Sequence, residues 1–356
     1  MSIQIKLPHG LAIVEQNGIN KLGTHLQSII PKGQGLIITD SNVGPLYAQK
    51  VHRTLKASGF NTSTSTIPAG EKSKGLETFT KVAETVASLS TPITFVVGLG
   101  GGVVGDFSGF LAAIYRRGVP HVQIPTSLMA QVDSSVGGKN GLNAIAAKNM
   151  FGTILQPVLT LVDTQTLHTL GDREFYSGFG EIIKHMAISS PATLVKLSKI
   201  AKTAISQNLE TLIAQNIRIK KHFVQNDILG NKGIRDQLNF GHTVGHAIEQ
   251  VAGYGTYLHG EAISMGMVVA LSISNQYGLP TEASAKVISL LEAYQLPTTI
   301  PANLVTTDLL EVLKQDKKFQ GTIRFVLLKT LGKPYISNTV TYKAIAKAID
   351  KCRIIA

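Results

Sequence analysis

Short apolar runs alternate with amphipathic stretches through the first half of the chain. The runs have the length of buried strands, and the stretches between them repeat their apolar residues with helical spacing. We predict strands in GLIITD (35–40), NTSTSTIPAG (61–70), ITFVVGLGGG (93–102), HVQIPTSL (121–128) and PVLTLVD (157–163), and helices in GPLYAQKVHRTLKASGF (44–60) and SKGLETFTKVAETVASL (73–89). This alternation predicts a parallel sheet with crossover helices.

The pattern turns helical after about residue 170. Helical periodicity fills residues 177–188, 192–224, 243–254, 260–278 and 282–296, and we predict the next strand only in TIRFVLL (322–328). The sequence therefore predicts two domains. The first is an α/β domain with a parallel sheet over residues 1–170, and the second is a mostly α-helical domain over residues 171–356.

Composition narrows the class of protein. Of the 356 residues, 44% are hydrophobic and 16% are charged, which is typical of a well-buried globular protein. The apolar runs are too short to span a bilayer, and the N-terminus lacks the apolar core of a signal peptide. The single cysteine, Cys352, excludes an internal disulfide and a cysteine-rich zinc site. We expect a cytoplasmic protein with no membrane partner.

The net charge of +12 raises the question of an anionic partner. Lysine and arginine are scattered, without a dense basic run or a basic stripe interleaved with aromatics, so we expect no nucleic-acid partner. A basic solvated surface and an anionic small substrate remain the two explanations. A nucleic-acid-binding protein would instead show salt-sensitive retention on DNA and no metal.

A glycine-rich turn follows the predicted strand over 93–102. Gly100, Gly102 and Gly105 satisfy the pattern G-x-G-x-x-G, which lets backbone N–H groups approach a pyrophosphate at a helix N-terminus. An acid about 20 residues further on is missing, but Asp40 and Asn42 follow an earlier strand and could bind a ribose. The turn indicates either a dinucleotide site or close packing of helix on sheet.

The segment TSLMAQVDSSVGGKNGLNAIAAKN (126–149) carries many groups suited to a small polar ligand. Asp133 and Lys139 flank a Gly-Gly turn, and Lys148 and Asn149 end the segment. Lysines and an amide beside glycines suit a phosphate or a carboxylate. A solvated loop would have a similar composition, so both interpretations stay open.

Histidines in the helical half indicate a metal site. His242 and His246 lie four residues apart in LNFGHTVGHAIE (238–249), so in a helix both imidazoles share one face. Together with His259 and Glu181 they supply more ligands than the three protein ligands that a catalytic zinc ion needs. The pair does not match H-E-x-x-H, so we do not expect a zinc protease. Each histidine alone could equally be a core residue.

Six segments in chain order resemble the 3-dehydroquinate synthase family, over about residues 35–330. The segments are GGGVVGDFSGFLAAIYRRGVPHVQIPTSLMAQVDSSVGGKNGLN, KNMFGTILQP, REFYSGFGEIIKH, GIRDQLNFGHTVGHAIE, LHGEAISMGM and QDKKFQGTIRFVLL. The resemblance implies a Rossmann-related NAD-binding domain followed by a helical metal- and substrate-binding domain. It also implies a homodimer.

The resemblance further implies a reaction of the shikimate pathway. The family converts 3-deoxy-D-arabino-heptulosonate 7-phosphate to 3-dehydroquinate and phosphate. The steps are a transient oxidation by bound NAD, phosphate elimination, reduction and an intramolecular aldol closure, with one divalent ion, Zn²⁺ or Co²⁺. Another sugar phosphate cyclase and a metal-dependent polyol dehydrogenase are the alternatives within the superfamily.

Site residues follow from the resemblance by position. The implied metal ligands are Glu181, His242 and His259. The implied catalytic and substrate-binding residues are Arg117 (across a dimer interface), Asp133, Lys139, Asn149, Lys184, Lys221, Arg235, Asn239 and His246. The implied NAD-binding residues are Asp40, Asn42, Glu71, Lys74, Gly101, Gly102, Val103, Asp106, Thr126, Ser127, Lys148, Thr166 and Thr169.

The chain departs from the family pattern mainly before Arg235. The family has an acidic segment there, whereas this chain has NDILGN (226–231). The register is therefore open, and the substrate lysine could be Lys220 or Lys221; counting back from Arg235 favours Lys221. A lysine of QDKK, Lys317 or Lys318, should also contribute.

Overall fold

The computed structural model describes residues 2–144, 148–200, 205–315 and 323–353. The chain divides into two compact units. The first unit comprises residues 1–171 and 208–221, and the second comprises residues 172–207 and 222–356. Among the described residues, no helix combines the length and the apolar character that a bilayer crossing requires.

The first unit is built on a seven-stranded sheet. Its strands are β1 (Ile3–Leu7), β2 (Gly10–Glu15), β3 (Gln34–Asp40), β4 (Asn61–Ile67), β5 (Phe95–Gly100), β6 (His121–Pro125) and β9 (Leu159–Asp163), in the order β1-β2-β9-β6-β5-β3-β4. All neighbouring pairs are parallel except β1 with β2. The predicted parallel sheet is confirmed, with an antiparallel edge strand added by an N-terminal hairpin that the pattern did not reveal.

Helices cover both faces of this sheet, which explains its continuous apolar strands. They are α1 (Leu22–Gln27), α2 (Gly44–Ala57), α3 (Leu76–Ala87) and α4 (Gly102–Ile114). Along β3, Ile37 packs in a core with Leu26 and Val51, while Ile38 packs in a second core with Val82 and Val104. The alternation of side chains along a strand thus feeds two cores at once.

The predicted polar segment over 126–149 has more regular structure than a loop. Ala130–Ser134 forms one π-helical turn, and β7 (Lys139–Leu142) pairs with β8 (Phe151–Ile154) in an antiparallel hairpin. Single π turns are rare and are often found at functional sites, because they re-aim side chains within a helix. Here the turn carries Asp133.

The second unit is mostly helical. Its helices are α5 (Asp172–Ser189), α6 (Pro191–Lys199), α8 (His242–Val251), α9 (His259–Gln276), α10 (Thr281–Ala293), α11 (Thr306–Gln315) and α12 (Tyr342–Lys351), while α7 (Ile205–Asn226) includes the segment 208–221 of the first unit. The hairpin β10 (Phe325–Thr330) and β11 (Lys333–Ser337) completes it. Helix α9 is buried over most of its length and contacts α5, α8, α10 and α12.

Candidate metal centre and cofactor edge

Three side chains from separate helices converge in the second unit. Glu181 lies on α5 and is fully buried, His242 is the first residue of α8, and His259 is the first residue of α9. The Nε2 atoms of His242 and His259 lie 3.3 Å and 3.6 Å from Glu181 Oε1. These are the three metal ligands that the resemblance implied.

Both imidazoles are held by oxygen atoms on their other nitrogen. The Nδ1 of His242 lies 3.2 Å from the carbonyl oxygen of Phe240, and the Nδ1 of His259 lies 3.2 Å from Glu249 Oε2. In a neutral imidazole, an Nδ1–H that donates to oxygen leaves Nε2 as the atom with the lone pair. This is the arrangement of a metal-binding histidine.

The distances fit a divalent metal ion. Two ligand atoms of a tetrahedral zinc ion, each about 2.0–2.1 Å from the metal, lie roughly 3.3–3.4 Å apart. The distance of 3.3 Å from Glu181 Oε1 matches that separation and the distance of 3.6 Å is slightly longer, whereas a strong hydrogen bond would be shorter than either. With two imidazoles and a carboxylate, the donor set is one that catalytic zinc sites use.

The pKa values of the two histidines are shifted in opposite directions. Burial lowers the pKa of His242 well below its ordinary value, and the nearby ammonium of Lys184 acts in the same direction. Burial also acts to lower the pKa of His259, but the carboxylates of Glu181 and Glu249 outweigh it and raise that pKa to about 9. Lys184 itself is buried and forms an ion pair with Glu181.

Glycines beside the ligands bring the helices together. A Cβ on Gly180 would lie 2.6 Å from the carbonyl oxygen of Gly260, and a Cβ on Gly260 would lie 1.8 Å from that of Ser177. Helices α5 and α9 therefore touch backbone to backbone at this point. Gly180 precedes Glu181 and Gly260 follows His259, so the contact sets the separation of these two ligands.

Glycines also allow a close contact between helices α8 and α9 beside His242. A Cβ on Gly266 of α9 would lie 2.0 Å from the carbonyl oxygen of Gly241, the residue before His242. A Cβ on Gly245 would lie 2.7 Å from the side chain of Ile263 and 3.1 Å from the carbonyl oxygen of Ala262. The glycine between His242 and His246 thus allows α8 to pack closely on α9.

His246 lies next to the three ligands but on the exposed side of α8. Its ring centroid is 5.2 Å from that of His242 and 5.8 Å from that of His259. One ring nitrogen from each of the three histidines falls within 4.8 Å of the others. Spacing alone favoured His242 and His246 as a metal-binding pair. In the structure the buried Glu181 also lies close to His242 and His259, so Glu181 and His246 are alternative third ligands beside those two histidines.

Arg235 and Asn239 occupy one short 3₁₀ helix, Arg235–Asn239, just before α8. Arg235 is buried, and its Nη1 donates to the carbonyl oxygen of Ile228 at 3.1 Å. The carboxylate of Asp227 accepts the backbone N–H of Lys232 and that of Arg235. Burial acts to raise the pKa of Asp227, but these N–H groups outweigh it and lower the pKa. The acid-poor segment is thus anchored by one carboxylate.

In the first unit, most of the implied NAD-binding residues follow the carboxyl ends of neighbouring parallel strands. Ligands of open α/β sheets bind at that edge. Asp40 ends β3 and accepts the N–H groups of Asn42 and Val43, both at 2.9 Å. The other members of this edge are Glu71, Gly101, Gly102, Val103, Thr126, Ser127, Thr166 and Thr169. The 13-residue helix α4 begins at this edge, and its N-terminus is suited to bind a pyrophosphate.

A polar network surrounds Lys74, which is buried. Its ammonium contacts Asp106 and donates to Asn149 Oδ1 at 2.6 Å. Enclosure raises the pKa of Asp106 even though Lys74 opposes the shift. Asn143, which the sequence did not single out, donates to Glu71 at 2.8 Å and accepts the N–H of Asn149 at 2.9 Å.

Two threonines at this edge differ in exposure. Thr166 is buried, donates to the carbonyl oxygen of Asp163 at 2.8 Å and accepts from Gln131 Nε2 at 3.1 Å. Its hydroxyl therefore braces the end of strand β9. Thr169 is exposed and lies 2.7 Å from the hydroxyl of Tyr47, so it fits the implied contact better.

Lys220, and not Lys221, contacts Asp133. The Nζ of Lys220 lies 2.6 Å from Asp133 Oδ1 and donates at 2.6 Å to the carbonyl oxygen of the same residue. Lys220 is buried, whereas Lys221 is half-buried. The contact with Asp133 favours Lys220 of the two candidates, and the identity of the substrate lysine stays a prediction.

The remaining implied residues differ in exposure and backbone conformation. Lys139 begins β7 and is exposed, and Lys148 is half-buried near Asn149. Arg117 has a φ of 67°, which costs a non-glycine residue energy. Lys317 and Lys318 lie outside the described residues.

The architecture is that of sugar phosphate cyclases. A 2-epi-5-epi-valiolone synthase from Streptomyces hygroscopicus, solved with NAD⁺ and Zn²⁺ bound, shares the fold with a TM-score of 0.86 at 24% identity, covering 98% of each chain. A 2-deoxy-scyllo-inosose synthase complexed with carbaglucose-6-phosphate, NAD⁺ and Co²⁺ has a TM-score of 0.86 at 25% identity, covering 99% of this chain and 100% of that one.

Sequence comparison identifies the family. Residues 64–177 match the model of 3-dehydroquinate synthase N-terminal, and residues 178–319 match that of 3-dehydroquinate synthase C-terminal. The 3-dehydroquinate synthase of Streptococcus gordonii is 41% identical over 340 residues, covering 93% of this chain and 95% of that protein. The chain belongs to the 3-dehydroquinate synthase family. The family, fold and enzyme activity predicted from the sequence are thereby confirmed.

Proposed function

We propose that the protein converts 3-deoxy-D-arabino-heptulosonate 7-phosphate to 3-dehydroquinate with bound NAD and one divalent metal ion. The observation that carries the proposal is the convergence of Glu181, His242 and His259 in a chain of this family. Two similar synthases were solved with NAD⁺ and with Zn²⁺ or Co²⁺. When bound, NAD supplies a reversible hydride acceptor and the metal ion supplies a Lewis acid.

The side chains around the metal ligands have distinct tasks in this proposal. Lys184 forms an ion pair with the buried Glu181 and so helps to hold the carboxylate in place. His246 lies on the exposed side of α8, close to both metal-binding imidazoles, and moves a proton at the substrate phosphate oxygen. Arg235, fixed by the carbonyl oxygen of Ile228, presents a guanidinium to the anionic substrate.

The first unit contributes the nucleotide edge and further cations. The N-terminus of α4 and the carboxyl ends of β3, β5 and β6 support binding of a dinucleotide. Lys220 is our choice for the substrate lysine over Lys221, because it is the lysine held by Asp133. Lys139 is exposed at the start of β7, and we assign it to the anionic substrate as well.

We further propose a homodimer in which Arg117 reaches the substrate of the partner. Arg116 and Arg117 both have positive φ angles, a strain that often marks functional positions. Three exposed apolar side chains lie on neighbouring elements: Ile114 ends helix α4, just before the two arginines, and Phe151 and Ile154 lie on strand β8. Exposed apolar residues of this kind support self-association.

Activity assays test the reaction. Metal-loaded protein should release inorganic phosphate from the heptulosonate phosphate only with NAD present, and a chelator should abolish this until zinc or cobalt is restored. Phosphate release that continues unchanged after both chelation and NAD removal would contradict the proposal. Carbaglucose-6-phosphate, the ligand in the structure of the scyllo-inosose synthase, should compete poorly; strong competition would favour a different cyclase.

Subunit mixing tests the dimer. The variants Arg117→Ala and Glu181→Gln should each be inactive alone. If Arg117 serves the partner, a mixed dimer has one site with both groups intact, so co-expression should restore activity that neither variant has. Mixed protein that sediments as a dimer but stays inactive would contradict a role across the interface.

A further inference from the structure

A second buried carboxylate faces the metal ligands, and neither the metal-binding set nor the substrate set includes it. Glu249 lies on α8, and its side chain is 8% exposed. Its Oε2 lies 3.2 Å from Nδ1 of His259, the ring nitrogen opposite the one that faces Glu181. The imidazole of His259 is therefore held between two carboxylates.

The spacing of these residues explains how α8 serves the site. His242, His246 and Glu249 stand at positions i, i+4 and i+7 of one helix, so all three lie on the same face. Glu249 thereby reaches a histidine that belongs to another helix, α9. His259 is the first residue of that helix and is the most exposed of the implied ligands, with 34% of its side chain accessible. A ring in such a position can rotate unless another group holds it.

The two ligand histidines are held by different kinds of acceptor. His242 is held by the neutral carbonyl oxygen of Phe240, only two residues away in sequence. His259 is held by a carboxylate, whose negative charge fixes the proton on Nδ1 and makes Nε2 a stronger donor to a metal. The imidazole of His242 is thus held by the backbone, and that of His259 by a charged side chain.

We propose that Glu249 is a positioning residue, which orients His259 and strengthens its bond to the metal ion. The inference rests on the proposed metal-dependent function and deepens it. Glu249 does not itself bind the metal in this arrangement, because the oxygen that contacts His259 lies on the far side of that ring from Glu181.

The test measures metal affinity and does not depend on turnover. Zinc affinity is determined by competition with a chromophoric chelator for the wild type, Glu249→Gln and Glu249→Ala. Groups that hydrogen-bond to metal-binding histidines typically contribute about 10–100-fold in affinity, so we expect a loss in that range for Glu249→Ala. Glu249→Gln keeps an acceptor oxygen without the charge and should recover part of the loss.

Two control variants separate this inference from the metal site itself. Glu15→Gln alters another buried glutamate that contacts a histidine, His25, at 2.8 Å, and should leave zinc affinity unchanged. Glu181→Gln should lose zinc. Wild-type affinity in both Glu249 variants, with loss in Glu181→Gln, overturns the role of Glu249 alone. Wild-type affinity in Glu181→Gln overturns the metal site and with it this inference.

Nitrogen NMR of the zinc-loaded wild type covers the case in which the variants fail to fold. With the resonance assigned through His259→Gln, His259 should carry its proton on Nδ1 and show a metal-bound Nε2. A proton on Nε2, or a freely exchanging ring, would overturn the proposal.

Discussion

Two buried glutamates in this protein each meet a lysine and a histidine, yet they form different kinds of site. Glu15 in the first unit contacts Lys21 at 2.9 Å through one oxygen and His25 at 2.8 Å through the other. Glu181 in the second unit pairs with Lys184, while its Oε1 faces two imidazole nitrogens.

The two sites differ in the distances between the carboxylate oxygens and the neighbouring nitrogens. At Glu15 each carboxylate oxygen has a partner at hydrogen-bond distance, and the cluster is a closed structural brace. Burial acts to raise the pKa of Glu15, but Lys21 and His25 outweigh it and lower the pKa. At Glu181 the two imidazoles stop 3.3 Å and 3.6 Å away, at the spacing of ligands around a common ion. This spacing supports the metal ion that we propose at Glu181.

The largest expected effect comes from exchanging each glutamate for glutamine. Glu181→Gln should lose its metal and lower kcat by a factor on the order of 1,000 or more, because Lewis-acid stabilisation is worth several kcal/mol. Glu15→Gln should keep both metal and kcat. Elemental analysis and phosphate-release assays on both variants check this; metal loss in Glu15→Gln would erase the distinction between the two sites.

His246→Ala should separate metal binding from turnover. We expect full zinc content and a kcat lower by roughly 10²–10⁴-fold, the usual contribution of a general acid or base. His246→Gln serves as the matched variant that retains polarity. If His246→Ala loses its zinc while Glu181→Gln keeps it, the three histidines form the metal site and our choice of Glu181 is wrong.

Gly260→Ala should test whether helix contact sets the ligand spacing. The added Cβ would lie 1.8 Å from the carbonyl oxygen of Ser177, so α5 and α9 must separate. Overpacking of this kind costs about 1–3 kcal/mol and occasionally more, and we expect zinc affinity to fall as well. Gly75→Ala is the control, since its Cβ would meet only an oxygen at 3.7 Å. Unfolding curves and chelator competition measure both effects.

The smallest effect concerns pH and the closed cluster. Because the folded-state pKa of Glu15 is lowered, its stabilisation is present above the unfolded pKa of about 4.5 and is lost as pH falls through the folded pKa. Glu15→Gln should therefore be less stable than the wild type by about 1–3 kcal/mol at pH 7, with the gap closing in acid. Denaturant unfolding at pH 7 and below pH 4 measures it; a gap that widens in acid would contradict the assignment.

Much of the architecture could be predicted from local pattern. Five of the seven strands and helices α2 and α3 were predicted from strand-like runs and helical spacing, and the apolar runs are continuous because both faces of a parallel sheet are covered. The N-terminal hairpin and the hairpin β7–β8 were missed. Strand β8 has mostly exposed residues, so it carries no apolar run from which a strand could be predicted.

The site divides in the same way. Spacing alone placed His242 and His246 together, and residue type made Glu181 and His259 further candidates. Only the family resemblance chose Glu181 and His259 over His246; they lie 61 positions before and 17 positions after His242 in the chain. Asn143 and Glu249 were not found, because their partners lie on other elements of the chain. Lys220 was one of two candidates, and only its contact with Asp133 distinguishes it from Lys221. Glu249 does stand on the histidine face of α8, a signal that could have found it.

The sequence by itself determined the alternation of strands and helices, the glycine turn, and the presence of imidazole and carboxylate groups able to bind a metal. Tertiary structure alone decided which of those groups share a site, because that depends on how closely three helices approach. Gly180 against Gly260, and Gly241 against Gly266, allow backbone contact where any side chain would hold the helices apart. Glycine is conspicuous in the sequence, but the carbonyl oxygen opposite each one becomes known only from the packed helices.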